Sequence, residues 1–507
     1  MTIHQTPNAQ IRAGEQTLEA AGLHALSRIR VQQALSLPAQ CELLFTNPTN
    51  LGELLETFAS GTELRVAASP LGDWIFDGEV TVTEQHYGPA GQMELRVRGY
   101  DRLHRLRKRQ ARRVFQNVRL ADLASELCSE TGAALFVSTS IDDPVLAELV
   151  QSGQSDFDFL RQVTDRRGLY FTLYEEGLEI LSLEGSGEPV TLELGQSLFE
   201  ARIETSAEIA SPAVQAAGWS PYTAEVYTGE ASPAPAGEPP AGSNGAAPAP
   251  AENPREVWNS IAFDAAYAAS VAQGELARRA ARSRYAWGVA EGNPALRPGA
   301  VIEISGVDAS ARGSYTVTSA THIITSARGY QTEFSSLPPA PPAAETAAGM
   351  TLGIIVDVDD PQGLGRVRAE MPSFGGYESG WMHVVLPAAG ANKGLMSLPA
   401  PGDTVLILFP LGEPAQGFIL GGLYGMQGMP DSGVDGGAVK RYTLLTPDGQ
   451  RLTLDDAGRK IRVEDSTGSF VELSPERAVL HAAVDLLLEA PGKRVVVRGQ
   501  NIDFERG

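Results

Sequence analysis

The sequence has few of the residues that covalent cross-links and metal sites require. Its 507 residues include two cysteines, Cys41 and Cys128, and seven histidines. Two cysteines do not support a disulfide framework, and no histidine has a His-x-x-x-His or cysteine partner at the spacing of a zinc site. We interpret both cysteines as small buried apolar residues rather than reactive thiols. We therefore expect neither a metal nor a cofactor.

Motifs of common active sites are also missing. The chain contains neither a Gly-x-Ser-x-Gly elbow nor a phosphate-binding Gly-Lys-Ser/Thr loop. We interpret Asp158 as part of a helix cap and the other acidic residues of 156–176 as turn or surface positions. Asp359-Asp360-Pro361 is typical of a turn rather than of a metal site. We expect that the protein is not an enzyme and has no catalytic residues.

Neither basic residues in excess nor a long apolar run is present. Lysine and arginine total 40 against 62 aspartates and glutamates, a net charge of −22, which repels nucleic acid and anionic membranes. The longest apolar runs, such as 405–409, are too short to span a bilayer. Residues 1–20 lack the basic start and apolar core of a secretory signal. We expect a soluble protein made in the cytoplasm that does not bind nucleic acid.

One stretch departs from the acidic character of the chain. Residues 101–115 read DRLHRLRKRQARRVF and are the single local argument for nucleic-acid binding. Because the whole chain is strongly acidic, we predict instead that this basic run pairs with an acidic surface on a neighbouring domain or subunit.

What the sequence does contain is a series of strand and turn patterns. Its 53 glycines and 33 prolines indicate many turns, and its length predicts three or four domains. We predict a mainly β protein with α+β parts. The expected domains are a β-barrel at 1–100, an α/β domain at 101–194, a second barrel at 195–336 with a Pro/Ala-rich low-complexity loop at 229–254, a linker at 337–349, an OB-fold at 350–428 and a C-terminal β-prism at 440–507.

The two predicted barrels share a short repeat. Residues 78–87 read GEVTVTEQHY and residues 313–322 read GSYTVTSATH, and in both copies the glycine opens an alternating strand. The match is either an internal duplication of a barrel, which we favour, or a coincidence between ordinary strands. The duplicated strand positions are Val80, Val82, Tyr315 and Val317.

The last segment predicts short strands with one apolar face and no helix or second sheet to cover it. About a dozen of these side chains would remain exposed to solvent in a single chain. Burial of each contributes roughly 1.5 to 3 kcal/mol, so the burial free energy forgone is on the order of 20 kcal/mol. Wrapping identical chains around one axis buries these faces, so we predict an obligate trimer. Its needle core would consist of Leu452, Leu454, Ile461, Val463, Val471, Leu473, Leu486, Leu488, Val495 and Val497, with Ile502 and Phe504 in a final strand.

Several segments, in this order, resemble one family. RVRGYDRLHRLRKRQARRVF at 96–115, QSGQSDFDFLRQVTDRRGLYFTLYEEGLEI at 151–180, the second-barrel stretch at 292–325 and the stretch GIIVDVDDPQGLGRVRAEMP at 353–372 are similar to the central spike proteins of contractile injection systems. That family includes the VgrG spikes of type VI secretion, phage tail hubs and the spikes of phage-tail-like particles. The resemblance covers nearly the whole chain apart from the Pro/Ala stretch.

The resemblance implies tandem hub barrels, an OB domain and an intertwined trimeric β-prism or β-helix. It further implies a homotrimer with six barrels that caps an inner tube, adapts sixfold to threefold symmetry and punctures a target envelope. The implied partners are the inner tube protein, baseplate proteins and effector cargo, with only transient membrane contact. A PAAR-type tip protein would dock on Ile502, Asp503, Phe504, Glu505, Arg506 and Gly507. The particle would assemble in the cytoplasm and be released or retained.

Two alternatives remain at this stage. Within the family, the chain is either the spike of a phage-like particle, which the short prism favours, or a type VI VgrG spike that carries effectors. From another class, a β-helical protein that binds or degrades envelope glycans also fits the strand-rich C-terminus.

Overall fold

A computed structural model describes residues 9–19, 25–68, 73–129, 134–137, 141, 143–174, 177–220, 225–232, 254–260, 264–340, 349–374, 376–410, 417–425 and 428–504. The chain divides into two compact units, Met1–Gly422 and Leu423–Gly507. Strands form 49% and helices 14% of the structure. The predicted mainly β class, with curled sheets and an OB-type domain, is therefore confirmed.

The first barrel forms where apolar and polar residues alternate. In the strand that begins at Met93, Leu95 and Val97 are fully buried while the residues between them are partly exposed, as a half-buried strand requires. Phe45 and Phe58 pack against each other at its centre. Its elements are β1 (Gln10–Ala13), β2 (Gln16–Glu19), β3 (Leu26–Ala34), β4 (Leu37–Thr46), α1 (Leu51–Thr57), β5 (Glu63–Ala67), β6 (Trp74–Tyr87) and β7 (Met93–Asp101).

An α/β region follows the first barrel. Helix α4 begins after Ser155, whose hydroxyl accepts the backbone N–H of Asp158 at 3.1 Å, as the capping pattern predicts. Phe157, Phe159 and Leu160 turn into the core. The elements of this region are α2 (His104–Lys108), β8 (Gln110–Val118), α3 (Leu120–Cys128), β9 (Ala134–Val137), β10 (Leu146–Ser155), α4 (Asp156–Asp165), β11 (Tyr170–Tyr174) and β12 (Gly177–Leu181).

The second barrel is interrupted by a layer that packs elsewhere. A three-stranded sheet and the long helix α5 place Val214, Tyr267 and Val271 in the core of the α/β region. The elements are β13 (Ser186–Glu193), β14 (Leu198–Thr205), β15 (Val214–Ser220), β16 (Glu225–Ala231), β17 (Arg255–Ser260), α5 (Ala265–Ser283), β18 (Arg284–Glu291), β19 (Ala300–Ser305), β20 (Gly313–Thr316), β21 (Ser319–Thr325) and β22 (Gly329–Ser335).

These contacts move the domain boundaries expected from sequence. Strands β15 and β16 and helix α5, assigned to the second barrel, pack on the α/β core because their apolar side chains cover it. Strand β13, assigned to the α/β domain, pairs with β19 of the second barrel. Gly229–Ala231, assigned to the low-complexity loop, belong to β16. The rest of that loop, at 233–253, and most of the linker, at 341–348, lie outside the described residues.

The two barrels share one sheet. Its strand order is β14-β18-β22-β21-β3-β4-β7-β6-β5-β1-β2. The connection is the antiparallel pairing of β21 with β3, which runs from Ser319 opposite Ala34 to Thr325 opposite Arg28. The barrels are therefore continuous through backbone hydrogen bonds as well as through their side chains.

A third, smaller barrel completes the first unit. Its sheet order is β25-β24-β23-β27-β28-β26, and Val405, Ile407 and Phe409 of one strand point into its core. This sheet corresponds to the predicted OB-fold. Its strands are β23 (Gly349–Asp357), β24 (Arg368–Met371), β25 (Tyr377–Glu378), β26 (His383–Val384), β27 (Thr404–Phe409) and β28 (Phe418–Leu423).

The second unit contains a small hairpin and a five-stranded antiparallel meander. The strands are β29 (Val434–Asp435), β30 (Ala438–Val439), β31 (Arg441–Leu445), β32 (Arg451–Asp455), β33 (Lys460–Glu464), β34 (Phe470–Leu473) and β35 (Ala478–His481). Residues 482–504 contain no strand. The strands expected around Leu486, Val495 and Ile502 are therefore absent from the single chain, and this segment pairs with neither open edge of the meander, β31 or β35.

Candidate functional site

The meander of the second unit collects apolar side chains on one face. Its register sets Leu452 opposite Val463 and Leu454 opposite Ile461. The next strand continues the pattern, because Val471 lies opposite Val463. Residues directly opposite each other in an antiparallel pair share a face. The first six predicted needle-core residues therefore lie together, as expected from their spacing.

This face is exposed in the single chain. The exposed fraction of each side chain is a third to a half or more, although such residues normally occupy a core. The fractions are 59% for Tyr442, 48% for Leu444, 37% for Leu452, 41% for Leu454, 45% for Ile461, 52% for Val463, 44% for Val471, 49% for Leu473 and 56% for Leu480. We call these nine residues the apolar face.

The opposite face of the same sheet is charged and internally paired. The Arg462 guanidinium lies 2.7 Å from a Glu464 carboxylate oxygen and 3.2 Å from Glu472. It also lies 3.8 Å from the ring centroid of Phe470. Arg451 completes the group at 3.9 Å from Glu464. The charged face thus finds its partners within one chain, whereas the apolar face does not.

The remaining predicted needle residues are also exposed but are not organised into strands. Exposure is 55% for Leu486, 64% for Leu488, 56% for Val495 and 66% for Val497. At the predicted tip, Ile502 is 48% and Phe504 95% exposed, and Asp503 lies between them. The other tip residues, Glu505, Arg506 and Gly507, lie outside the described residues.

The repeat noticed in the sequence lies on equivalent strands of the two barrels but two residues out of register. Val80 exchanges backbone hydrogen bonds with Gly61 and Thr62 as Val317 does with Gly299 and Ala300, so Val80 is the equivalent of Val317. The order β3-β4-β7-β6-β5 of the first barrel has the same connectivity as β14-β18-β22-β21 and β20-β19 of the second. Even the irregularities correspond: the β3–β4 pairing skips one residue after Leu26, and the β14–β18 pairing skips one after Leu198. The shared topology supports duplication of a barrel over coincidence.

The four duplicated strand positions differ in burial. Val80, Tyr315 and Val317 are buried, at 1%, 6% and 0% exposure, whereas Val82 is 42% exposed. The difference arises because β6 has a bulge between Val80 and Val82. After that bulge its outer edge has no neighbouring strand among the described residues, since β5 pairs with β6 only as far as Glu79.

The basic run joins the α/β region to the first barrel. His104 Nε2 lies 2.8 Å from a Glu79 carboxylate oxygen, and Arg105 pairs with the same carboxylate. Burial alone would raise the pKa of Glu79. The hydrogen bond and the positive charge of Arg105 outweigh burial, so the pKa lies below its ordinary value. Arg109 and Arg113 lie 3.3 and 2.9 Å from the buried Asp156. The sequence predicts that the run pairs with an acidic surface on a neighbouring domain or subunit; Glu79 lies in the neighbouring barrel, whereas Asp156 is a buried residue of the same α/β region.

A polar contact that the sequence did not indicate joins the α/β region to the third barrel. The Tyr377 hydroxyl donates a 2.6 Å hydrogen bond to Glu148, which is 6% exposed. Burial raises the pKa of the Glu148 carboxyl, and the hydrogen bond from Tyr377 offsets only part of that rise. The two residues are 229 positions apart, so no local pattern relates them.

The acidic turn predicted at Asp360 is present. Its carboxylate accepts the backbone N–H groups of Gln362 and Leu364 at 3.1 and 3.0 Å, and it pairs with Arg366 at 2.7 Å. The Arg366 hydrogen bonds hold the pKa of Asp360 well below its usual range. The carboxylate is thus committed to shaping a turn. Within the described ranges, no group of three or more His, Cys, Asp or Glu residues is arranged to hold a metal ion.

None of the described helices has the length and apolar character needed to cross a membrane. A search of curated protein sequences found no match. Two family models do match. The model of the type VI secretion system/phage-baseplate injector OB domain matches residues 351–424, the region of the third barrel. The model described as the Alg8 N-terminal domain matches residues 55–326, more than half of the chain.

Solved structures share the fold at low identity. The E. coli c3393 protein, described as a type VI secretion component similar to the T4 tail proteins gp27 and gp5, has a TM-score of 0.54 at 15% identity, covering 82% of this chain and 99% of that one. A Francisella PdpA–VgrG complex, half-lidded, gives 0.53 at 9% identity, covering 93% and 87%.

The 43 kDa tail protein of prophage MuSo2 from Shewanella oneidensis gives a TM-score of 0.49 at 17% identity, covering 65% of this chain and 98% of that one. Residues 351–424 thus match the injector OB domain of type VI secretion systems and phage baseplates, and the chain shares its fold with solved type VI secretion and VgrG structures. The chain belongs to the family described as the Alg8 N-terminal domain.

Proposed function

We propose that three copies of the chain assemble into the hub and needle of a contractile injection particle. The observation that carries this proposal is the apolar face, nine large side chains that one chain leaves between 37% and 59% exposed. Covering half-exposed side chains of this kind contributes about 1 kcal/mol each, or on the order of 10 kcal/mol per chain. Three copies around one axis cover all three faces, and closed symmetry stops the assembly there.

The partner of the apolar face is a second and a third copy rather than an unrelated protein. On the charged face of the same meander, Arg462 already pairs with Glu464 and Glu472 within the chain. The meander therefore needs a partner only for its apolar face. Residues 482–504 bring further exposed Leu and Val side chains and no strand of their own. We propose that they form strands on pairing with neighbouring copies, which completes the predicted prism.

The duplicated barrels fit the other end of the proposed particle. Each chain supplies two barrels of the same topology, so three chains supply six. Such a ring has nearly sixfold symmetry and matches an inner tube of sixfold rings, while the C-terminal sheets keep threefold symmetry. We propose that the hub caps the tube and contacts baseplate proteins, and that sheath contraction drives the needle through the target envelope.

The tip and the cargo follow from the same proposal. Ile502 and Phe504 are exposed at the end of the described chain, and a PAAR-type tip protein would cover them. The role is mechanical and the protein would not be an enzyme, since its well-ordered acidic groups, such as Asp360 and Asp156, are held by arginines in turns and cores. Effectors would travel on partner proteins or in the tube.

The mass in solution tests this function. Sedimentation equilibrium of the full chain should give three times the mass of one chain at micromolar concentration. A chain shortened after Val439 keeps the barrels and should associate more weakly. A stable single chain would contradict the proposal, and turnover of peptidoglycan by pure protein would favour the envelope-degrading alternative.

A further inference from the structure

The contact between the α/β region and the third barrel is centred on one carboxyl group. Glu148 lies on β10, directly opposite Gln116 of β8, and is 6% exposed. From the third barrel, the Tyr377 hydroxyl donates a 2.6 Å hydrogen bond to it. The backbone N–H of Gly380 and the side chain of Gln116 also hydrogen-bond to this carboxyl group. Donors from two domains therefore meet on a single buried side chain.

The segment that meets Glu148 is a fixed part of the third barrel. The backbone N–H of Ser379 donates to the Ala369 carbonyl oxygen at 2.8 Å. In return, the Ala369 N–H donates to the Ser379 hydroxyl at 3.0 Å. Residues 377–380 therefore cannot leave Glu148 unless the third barrel moves with them.

The two domains do not share an apolar core. Among the residues that the structure describes, the buried cluster of the α/β region and the buried cluster of the third barrel have no member in common. Burial of apolar surface is the main source of cohesion inside each domain. Because no such cluster spans the two, the attachment of the third barrel relies on the polar contact at Glu148.

A negative charge on Glu148 has little to balance it. The cation that acts on it is Arg368, whose guanidinium already lies 3.0 Å from Glu378 and donates to the Ser379 carbonyl oxygen at 3.1 Å. Burial disfavours the charged form of a carboxyl group. The groups that face Glu148 are Gln116 from β8 and Arg368, Tyr377 and the Gly380 N–H from the third barrel.

We propose that Glu148 is a proton-sensitive latch that fixes the third barrel on the α/β region. With a proton bound, the carboxyl group stays in the interface without a charge and keeps Tyr377 and Gly380 as donors. Without the proton, the interface buries a negative charge whose cation, Arg368, is shared with Glu378, so the contact weakens.

The direction of the pH response follows from the burial of Glu148. Burial raises the pKa of its carboxyl by more than the hydrogen bonds and Arg368 lower it. The closed contact therefore binds the proton more tightly than the separated domains do. The contribution of the latch is present at low pH and is lost as the pH rises through the pKa of the closed contact.

Gly380 offers a variant that acts on the latch alone. A Cβ at this position would lie 2.5 Å from a Glu148 carboxylate oxygen. Because that oxygen is the end of a flexible side chain, Gly380→Ala should displace the carboxyl group without deforming the third barrel. Gly422→Ala in the same barrel is the matched control, since its added Cβ meets the Thr404 carbonyl oxygen at an ordinary 3.8 Å.

Amide hydrogen exchange of the full chain measures the latch, because it reports local opening. A peptide covering 376–382 contains the Gly380 N–H, and a peptide covering 404–409 reports strand β27 of the same barrel. At pH 8, Gly380→Ala and Tyr377→Phe should each lower the protection of 376–382 about tenfold and leave 404–409 unchanged. Gly422→Ala should leave 376–382 unchanged.

The same measurement at two pH values tests the proton response. After correction for intrinsic exchange rates, the protection of 376–382 in the unmodified chain should be lower at pH 8 than at pH 5. Glu148→Gln keeps an acceptor for the Tyr377 hydroxyl without a charge, so its protection at 376–382 should be the same at both pH values.

Each contrary result overturns a stated part of the inference. Unchanged protection in Gly380→Ala, or an equal loss at 376–382 and 404–409, would overturn the latch, because the contact would then be either dispensable or part of the stability of the barrel itself. Equal protection of the unmodified chain at pH 5 and pH 8 would overturn the proton response. Glu148 and Tyr377 belong to one chain, so the test does not depend on the proposed trimer.

Discussion

Gly274 of helix α5 lies directly against the backbone of Arg167 and Gly168, at the end of helix α4. A Cβ on Gly274 would overlap the Arg167 carbonyl, and a Cβ on Gly168 would overlap the Gly274 backbone. Gly168 also has a φ of +64°, which favours glycine. Two helices that are about one hundred positions apart in sequence therefore meet at a glycine pair, and this contact attaches the inserted layer to the α/β core.

The first prediction concerns this contact. Gly274→Ala should destabilise the hub by about 1–3 kcal/mol, because backbone atoms must move to admit the methyl group. Gly52→Ala is the matched control: Gly52 is also helical and nothing lies within 4 Å of its added Cβ, so alanine should stabilise by up to about 1 kcal/mol. Thermal melting of both variants checks the opposite signs, and equal shifts would contradict the contact.

The second prediction concerns the apolar face. Leu454→Gln should weaken trimer formation because it places an amide where the copies of the proposed trimer would exclude water, whereas Thr453→Gln on the charged face of the same strand should not. A loss of about 1–3 kcal/mol at each of three symmetry-related sites lowers the association constant by several orders of magnitude. Sedimentation at a series of concentrations measures it. If both variants associate like the unmodified chain, the face is not the interface.

The third prediction concerns Glu148. Since burial raises the pKa of its carboxyl, the folded state binds a proton more tightly than the unfolded state does. The contribution of this group is therefore favourable at low pH and is lost as the pH rises through the folded pKa. Glu148→Gln keeps an acceptor for the Tyr377 hydroxyl without the charge, so it should raise the melting temperature at pH 8 and have little effect at pH 4. Tyr377→Phe, which removes the donor, should lower it at pH 8.

The fourth prediction concerns His322, which is 1% exposed and whose Nδ1 lies 2.9 Å from the Tyr330 hydroxyl and 3.1 Å from the Thr332 hydroxyl. Burial lowers its pKa from 6.5 to about 4. Between these two pKa values His322 is protonated in the unfolded chain and neutral in the folded chain. The free energy of unfolding therefore falls as the pH drops below about 6.5. The loss between pH 7 and pH 5 is about 2 kcal/mol.

Asp101 opposes this effect. Burial raises its pKa to about 7 despite hydrogen bonds from the backbone of Ala39 and Leu103, so its contribution is lost as the pH rises toward and past 7. The contributions of His322 and Asp101 to the pH dependence of stability therefore nearly cancel in the unmodified chain. His322→Leu removes one of them, and its melting temperature relative to the unmodified chain should improve as the pH falls from 7 to 5. A constant difference across that range would show that His322 does not titrate as predicted.

Short sequence patterns predicted the local structure correctly at several places. Ser155 and Asp158 form the predicted cap, and Asp360 forms the predicted turn, because each depends on residues within six positions. Alternation placed Leu452, Leu454, Ile461 and Val463 on one face for the same reason. A period of two needs no knowledge of the rest of the chain.

Contacts between distant segments were beyond this reasoning. The hydrogen bond from Tyr377 to Glu148 and the packing of helix α5 on the α/β core join segments that no periodicity relates. The segment 482–504 shows the other limit. Its alternation predicts strands, yet a strand needs a neighbour for its hydrogen bonds, and in the single chain the segment pairs with neither β31 nor β35, the two open edges of the meander.

The ion pairs on the polar side of the C-terminal meander are closed within one polypeptide, from Arg462 to Glu464 and Glu472. Association of the apolar faces of the proposed trimer would then depend on the hydrophobic effect. This effect weakens at low temperature and is strengthened by excluded salts such as sulfate. A trimer held together in this way would be stable at high salt concentration and would dissociate more readily near 0 °C. An assembly held by ion pairs would show the opposite salt dependence.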